Sequence, residues 1–186
     1  MLTYLEKDPA TSTLRYCDHT NYDDLRFPAS AINPKGGVND ADRDSDDGSL
    51  LFDKSSVEIV AGIGQMPHSW KPGKVYPHLH WQATSTGAGN VLWKLEYDVA
   101  DVNGNFAGSW TELTVLDAAP ENANTHLIAA FDAVDLGSYK LSCIFKWRIS
   151  RVADDETDTY DADAKLLEFD LHYEIESVGS GQEYRK

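Results

Sequence analysis

The sequence is poor in cysteine and in basic residues, and each shortage excludes a class of protein. Two of its 186 residues are cysteine, and the spacing of Cys17 and Cys143 fits neither a metal motif nor a redox motif, which excludes a disulfide-stabilised scaffold. Sixteen Lys and Arg residues stand against 31 Asp and Glu residues. The resulting net charge of −15 at pH 7 argues against binding to nucleic acid or to an anionic membrane surface.

Signals for membrane insertion, export and catalysis are also missing. No apolar stretch approaches the roughly 20 residues that a transmembrane helix needs, and the N-terminus lacks the basic start and apolar run of a signal peptide. We therefore expect a protein that is made and folded in a cytoplasm. Because the sequence has no Gly-x-Ser-x-Gly motif and no glycine-rich phosphate loop before a helix, we expect no enzyme activity, no catalytic residues and no cofactor.

The strongest pattern that is present is the alternation of apolar and polar residues, typical of strands with one face in a core and the other in water. Four long rows show it, at residues 57–63, 91–99, 141–149 and 167–175. Shorter candidate strands are 12–17, 49–53, 75–82, 110–116 and 125–131, and a helix over 122–134 is a weak alternative to the last of these. Together they predict an all-β fold, a two-sheet antiparallel sandwich of the jelly-roll type.

Residues 1–48 differ in composition from the rest of the chain. They are rich in Pro, Asn, Asp and Gly and carry little alternation beyond residues 12–17. Such composition is typical of extended segments and loops. We predict an extended N-terminal arm and loop over residues 1–48 and a β-sandwich domain over residues 49–186.

His78 and His80 form the pair of residues that most resembles a chemical site. Residues two apart on a strand point to the same face, so both imidazoles could reach one metal ion. The pair is similar to the cupin metal motif, but the carboxylate expected a few residues later is missing. His126 or His172 could supply a third ligand. We interpret the pair as the polar face of a sheet wall and predict no metal site, with metal ligation as the alternative.

An acidic segment offers a second candidate site. Asp42, Asp44 and Asp46 stand at alternate positions, and Asp53 falls at the twelfth place of a calcium-loop pattern. The sixth place is Asp47, where the sharp turn of such a loop requires glycine. We interpret the segment as a solvated acidic loop and leave calcium binding by the four carboxylates open.

Aromatic residues in loop-like stretches offer a third candidate. Trp70, Trp81, Trp110, Phe27 and Tyr22 lie in or beside such stretches, several of them next to proline. Rigid aromatic loops either plug the ends of a sandwich or anchor a partner, and we favour plugging. A carbohydrate-binding module with Trp70 and Trp81 as stacking platforms is the alternative.

Three sequence blocks together resemble a known family. They are residues 23–29 (DDLRFPA), with 32–34 (INP) following; residues 65–73 (QMPHSWKPG); and residues 77–81 (PHLHW). The combination resembles a family of small structural proteins encoded among the virion genes of tailed bacteriophages, and the resemblance extends over residues 22–186. The family has no assigned catalytic residues to carry over.

The resemblance implies a non-enzymatic virion protein that assembles in the host cytoplasm. It implies a homo-oligomer, with a trimer expected by analogy, which docks on capsid or tail subunits; capsid decoration is preferred over a tail or fibre role that would include receptor or glycan binding. A cupin-like metal-dependent enzyme using His78 and His80 is the alternative from another class. The predicted docking elements are the arm through Pro34 and the loop from His68 to Trp70. The predicted protein-interface residues are Arg26, Phe27, Pro28, His68, Trp70, His78 and His80.

Overall fold

The computed structural model describes residues 3–7, 14–18, 20–34 and 37–181, and these residues form thirteen strands and one short 3-10 helix. The strands are β1 (Thr3–Lys7), β2 (Leu14–Asp18), β3 (Asn21–Pro28), β4 (Asp42–Arg43), β5 (Leu50–Phe52), β6 (Glu58–Gln65), β7 (Trp70–Ala83), β8 (Gly89–Ala100), β9 (Thr111–Ala119), β10 (His126–Ala130), β11 (Val134–Asp135), β12 (Ile144–Arg151) and β13 (Ala164–Ile175). The 3-10 helix covers Ala29–Ala31. Within these ranges no helix is long and apolar enough to cross a membrane.

The strands form two main antiparallel sheets and a separate hairpin. The larger sheet has seven strands in the order β10-β7-β13-β5-β4, with β3 also paired to β13 and β11 to β7. The smaller sheet has the order β6-β12-β8-β9, and β1 pairs with β2 in a sheet of their own. This arrangement confirms the predicted all-β, jelly-roll-like sandwich. The alternative helix over 122–134 is wrong, because this segment carries β10 and β11.

The core between the sheets is built from the inward members of the alternating rows. Trp81 of the larger sheet meets Trp93 of the smaller one at a ring-centroid distance of 6.0 Å, and Trp147 meets Phe169 at 4.8 Å. All four side chains are almost completely buried. Burying apolar side chains of this size contributes about 1.5–3 kcal/mol each, so these rows hold the two sheets together.

In β6 the predicted facing is reversed. Ile63 is 63% exposed while Val60 is buried, so the apolar row that includes Ile63 points away from the core. The inward positions are instead occupied by Gly62 and Gly64, where an added Cβ would overlap the rings of Trp147 and Phe27 respectively. Those rings fill the space that side chains of β6 would otherwise take.

The predicted N-terminal arm is in part a strand of the sandwich. Residues 21–28 form β3, which pairs antiparallel with β13 over eight positions from Asn21–Ile175 to Pro28–Glu168. Phe27 stacks on Phe169 of β13 at 5.6 Å. Sequence composition missed β3 because few of its residues are apolar. The segments 1–2, 8–13, 19 and 35–36 of the predicted arm lie outside the described residues.

Cys143 illustrates how tightly the core is closed. Its side chain is completely buried, and this burial raises the pKa of the thiol to about 12. At about pH 8 only about one thiol in ten thousand is then ionised, and the thiolate is the reactive form. In a Cys17→Ser variant we expect Cys143 to resist a disulfide reagent in the native protein and to react fully in concentrated guanidinium. Rapid stoichiometric labelling of the native variant would contradict this.

Candidate functional site

The outer surface of the larger sheet gathers most of the chemically active side chains. Period-two alternation along β3, β7, β10 and β13 sends one set of residues into the core and the other to this surface. We call the part of the outward set that is grouped around His78 and His80 the histidine face. Its members are Tyr22, Asp24, Arg26, Tyr76, His78, His80, His126, Glu168, Asp170 and His172.

At the centre of the histidine face, two imidazoles meet one carboxylate. Nε2 of His78 lies 2.7 Å from Oδ1 of Asp170, and Nε2 of His80 lies 3.6 Å from Oδ2 of the same group. The three residues come together because Asp170 of β13 is the register partner of His78 on β7, and Glu168, two residues earlier on β13, is that of His80. The Asp170 side chain is 4% exposed, so the carboxylate is almost fully withdrawn from water.

The two histidines are in different electrostatic situations. The contact with Asp170 raises the pKa of His78, and this effect outweighs the opposing effect of burial. Burial lowers the pKa of His80 and outweighs the attraction of Asp170. His80 also stacks on His126 of β10, with 2.7 Å between its Nδ1 and the Nε2 of His126. The site therefore favours a neutral imidazole at His80.

An ion pair and the contacts of His172 complete the face on the side of β3. Arg26 binds Glu168 with two hydrogen bonds, of 2.5 Å from Nε and 2.6 Å from a terminal nitrogen. His172 stacks on Tyr22 at 4.8 Å, and its Nδ1 lies 2.6 Å from Oδ1 of Asp24. An open pocket of about 500 Å³ is lined by Asp24, Arg26, His80, His126, Leu167, Glu168 and Asp170. The face thus offers positive, negative and aromatic groups side by side.

The predicted interface residues divide between this surface and the interior. Arg26, His78 and His80 lie on the histidine face, while Pro28 is half-buried at the end of β3. Trp70 is fully buried, and half-buried Phe27 packs against Trp147 at 5.1 Å as well as against Phe169. Trp70 therefore cannot contact a partner, and the prediction that it docks is corrected: it is a core residue.

In the loop from His68 to Trp70, the side chains of His68 and Ser69 lie within hydrogen-bonding distance of other residues of the chain. Nδ1 of His68 lies 2.6 Å from Oγ of Ser180, and its Nε2 lies 2.9 Å from Oγ of Ser142. Ser69 Oγ lies 3.2 Å from the Tyr173 hydroxyl. These bonds anchor the entry to β7. His68 is half-buried, and contact between this end of the loop and a partner stays a prediction.

The other candidate features have structural roles. Trp81 is fully buried like Trp70, which rules out the two indoles as sugar platforms. Trp110 is 38% exposed, and the guanidinium of Arg148 lies 4.2 Å from its ring centroid.

The calcium-like segment is held by internal bonds. Asp44 pairs with Lys165 at 2.6 Å, while Asp53 accepts hydrogen bonds from the backbone and hydroxyl of Ser55. Among the residues with described side chains, the group of three potential metal ligands that converges is His78, His80 and Asp170. Asp42, Asp44, Asp46 and Asp53 do not form such a group.

The sequence identified two members of the central cluster and missed the third. His78 and His80 stand out as a motif, whereas Asp170 is one of several acids on the polar side of β13. The signal that could have found it is the polar row Glu168, Asp170 and His172, which a neighbouring strand must face. Strand order and register were needed to select Asp170, and neither can be read from the sequence.

Comparison with known proteins identifies no family. No family model matches the chain, and no curated protein matches it. Several solved structures have a similar fold. The isomalto-dextranase of Arthrobacter globiformis T6 complexed with panose has 16% identity and a TM-score of 0.49, with 85% of this chain and 24% of that chain covered.

Two viral structures are also similar. The infectious bursal disease virus Gx strain structure has 11% identity and a TM-score of 0.40, with coverage of 94% and 36% of the two chains. The enzymatically active domain of tailspike protein 4 from bacteriophage CBA120 has 13% identity and a TM-score of 0.34, with coverage of 83% and 19%. This chain therefore spans 19% to 36% of the length of these three structures. At such identities and scores, none of them bears on function.

Proposed function

We propose that the protein is a non-enzymatic structural component of a phage virion, where it forms a homo-oligomer and docks on the particle. Capsid decoration is preferred over a tail or fibre position, and a trimer is the expected oligomer. The docking surface is the histidine face. The proposal rests on the sequence resemblance to phage structural proteins together with the position of the residues that carry it.

The observation that carries the proposal is the convergence of two distant sequence blocks on one surface. Arg26 belongs to the first block and His78 to the third, yet both are register partners of Asp170, from opposite sides of β13. The inward neighbours of these residues, such as Phe27 and Leu79, pack in or against the core. The blocks thus combine core packing on one side of the sheet with a shared outer surface on the other.

The shape and charge of the histidine face suit protein contact. Its pocket is open, and its centre mixes an Arg–Glu pair with imidazoles. Arg is enriched in protein interfaces, and its planar group forms paired hydrogen bonds with carboxylates. Arg26 remains 64% exposed in its pair with Glu168, so its guanidinium is accessible to an acidic group of a partner subunit.

Charge reversal at Arg26 tests the proposal. Arg26→Glu places a carboxylate beside Glu168 and should repel an acidic partner, so we expect at least a tenfold loss of copies per particle. The matched control is Lys94→Glu on the smaller sheet, since Lys94 also pairs across strands, with Glu112 at 3.5 Å. Particles that lack the protein are incubated with each purified variant, and bound copies are counted by quantitative mass spectrometry.

The two variants give separable outcomes. Retention of normal occupancy by Arg26→Glu, or an equal loss in Lys94→Glu, would contradict docking through the histidine face. Failure of the wild-type protein to bind particles of the phage that encodes it would contradict the virion assignment itself. Both variants should unfold at the temperature of the wild-type protein, so that a change in particle occupancy reports a change in docking and not in folding.

Exposed tyrosines favour one second candidate, a glycan-binding role on a tail or fibre. Tyr22 is 45% exposed and Tyr76 is 39% exposed, and their rings lie 6.2 Å apart on the histidine face. Aromatic rings beside polar groups are suited to contact with sugars. Binding of host surface glycans that is lost in a Tyr22→Ala and Tyr76→Ala double variant would favour this role over decoration.

A further inference from the structure

We propose that His78, His80 and Asp170 form a binding site for a divalent transition-metal ion of the zinc type. The site lies at the centre of the histidine face, on the outer surface of the sandwich. This inference does not rest on a virion role, because the three ligands would bind a metal whatever the protein docks on.

The donor atoms are nearly close enough to share one ion. One ligand atom from each of the three residues lies within 4.8 Å of the other two, whereas ligands at about 2.0–2.2 Å from a zinc ion are separated by less than twice that distance. A small rotation of the side chains therefore suffices. Two imidazole nitrogens and one carboxylate oxygen match a ligand set that zinc and related divalent metals use in proteins.

The outer partners of the histidines leave the correct nitrogens available. Nδ1 of His78 lies 3.2 Å from the carbonyl oxygen of Tyr76, which can only accept. When a metal ion on the Nε2 side replaces the direct contact with Asp170, the proton of a neutral His78 therefore belongs on Nδ1. Nδ1 of His80 lies 2.7 Å from Nε2 of His126. Metal-bound histidines usually donate their second N–H in this way, which fixes the tautomer and the ring orientation. In the metal-bound state both Nε2 lone pairs are then directed at an ion beside Asp170.

Asp170 provides an independent indication that the site suits a cation. Its side chain is 4% exposed, and its Oδ1 accepts no well-aligned hydrogen bond from the described residues although Nε2 of His78 is near. Withdrawing a carboxylate from water is costly unless its charge is compensated, and the nearest group to Oδ1 is Nε2 of His78 at 2.7 Å. A metal ion between Asp170 and the two imidazoles would compensate the carboxylate charge and take the place of the direct His78–Asp170 contact.

The number of protein ligands and the neighbouring pocket indicate that the metal site is open on one side. Three protein ligands leave one or more coordination positions of the ion open. His80 and Asp170 both line the open pocket of the histidine face, so water or a group from a bound partner would complete the coordination. His126 acts as a positioning residue, since it contacts His80 and not the metal.

Zinc titration of the full-length, tag-free protein tests the site. The protein is stripped with a chelator and dialysed, and binding of Zn²⁺ is measured by calorimetry, with Co²⁺ absorption reporting the coordination geometry. We expect one Zn²⁺ per chain. His78→Ala, His80→Ala and Asp170→Asn should each weaken binding about 100-fold or more, and His126→Ala about 10-fold, as for outer partners of metal ligands in other proteins.

His172→Ala is the matched control, since His172 is on the same face with its ring 6.1 Å from that of His78. It should bind Zn²⁺ within about twofold of wild type. Asp170→Asn keeps the shape of the side chain, and its thermal unfolding without metal shows whether it is folded. Binding weaker than millimolar, equal loss in His172→Ala, or unchanged affinity in Asp170→Asn would overturn the site. None of these outcomes affects the Arg26→Glu particle test.

Discussion

Deletion of residues 1–34 is expected to abolish the cooperative fold, whereas deletion of residues 1–18 is expected to leave it intact. The longer deletion removes β3 and its eight pairing positions along β13. It also removes Phe27, which packs on Phe169 and Trp147 across the core. Fully burying a phenylalanine contributes about 1.5–3 kcal/mol, of which half-buried Phe27 supplies a part, and the deletion also removes the buried Ala29 and Ile32. Whole domains are stable by only about 5–15 kcal/mol. Loss of the strand and its apolar side chains therefore removes much of the free energy of unfolding.

The shorter deletion is the matched control for this result. It removes the β1–β2 hairpin, whose strands pair with each other in a separate sheet, and leaves β3 complete. Urea unfolding followed by near-ultraviolet circular dichroism compares the two proteins with the full chain. A cooperative transition of nearly full-length stability in the 1–34 deletion would contradict the structural role of β3. A similar collapse of both proteins would show that the hairpin is needed for the fold.

This result changes how a docking role for the N-terminus can be tested. Sequence composition alone suggests that residues 1–34 form an arm that can be removed without harm to the sandwich. Because β3 is part of the larger sheet, the loss of particle binding in that deletion would report unfolding. Only residues 1–18 can be removed to ask whether the N-terminus contacts another subunit.

The strands that the sequence predicted correctly are those whose inward positions all carry apolar side chains. In β8 the row with Val91, Trp93 and Leu95 is completely buried, so alternation identifies both the strand and its facing. The same reasoning fails for β6, because its inward glycines have no side chain and the visible apolar row points outward. An alternation pattern shows which residues differ from their neighbours, and only the opposite sheet decides which set is covered.

Irregular pairing explains other differences. A register shift between Leu166 and Glu168 brings Leu166, and not Leu167, into the core of β13. A second shift lies opposite residues 71–74 of β7, where Lys71-Pro72-Gly73 predicts a turn before the strand. The strand instead begins at Trp70 and runs through the irregularity. Proline has no N–H to donate to a neighbouring strand, so the turn residues mark an interruption of the ladder within β7.

Only the part of the candidate site that is contiguous in the sequence could be predicted. His78 and His80 share a face because they are two apart, and a strand was predicted there. Asp170 lies about 90 residues later in the sequence, and it reaches them through the pairing of β13 with β7. Every residue type in this cluster is common on polar strand faces, which is why the sequence favoured a plain sheet wall.

Replacement of Arg151 by Met is expected to lower the free energy of unfolding by about 3–5 kcal/mol, the cost of leaving a buried charge without its partner. The side chains of Arg151 and Asp158 are 0% and 1% exposed and lie 2.7 Å apart. Arg151 also donates hydrogen bonds to the carbonyl oxygens of Ala162 and Tyr160. The substitution therefore leaves the Asp158 carboxylate and two buried carbonyl oxygens without their hydrogen-bond donor. The loop between β12 and β13 loses its anchor.

Urea unfolding of three variants separates this buried pair from ordinary surface charges. Asp158→Asn should also destabilise the protein strongly, because it leaves the Arg151 guanidinium buried without an anion. Lys54→Met is the control: Lys54 pairs with Asp161 at 2.6 Å, but the two side chains are 46% and 91% exposed, and solvent-exposed pairs contribute little. If Arg151→Met were no more damaging than Lys54→Met, the buried pair would not anchor the loop. The acidic loop between β12 and β13 thus contains one carboxylate on which the stability of the sandwich depends.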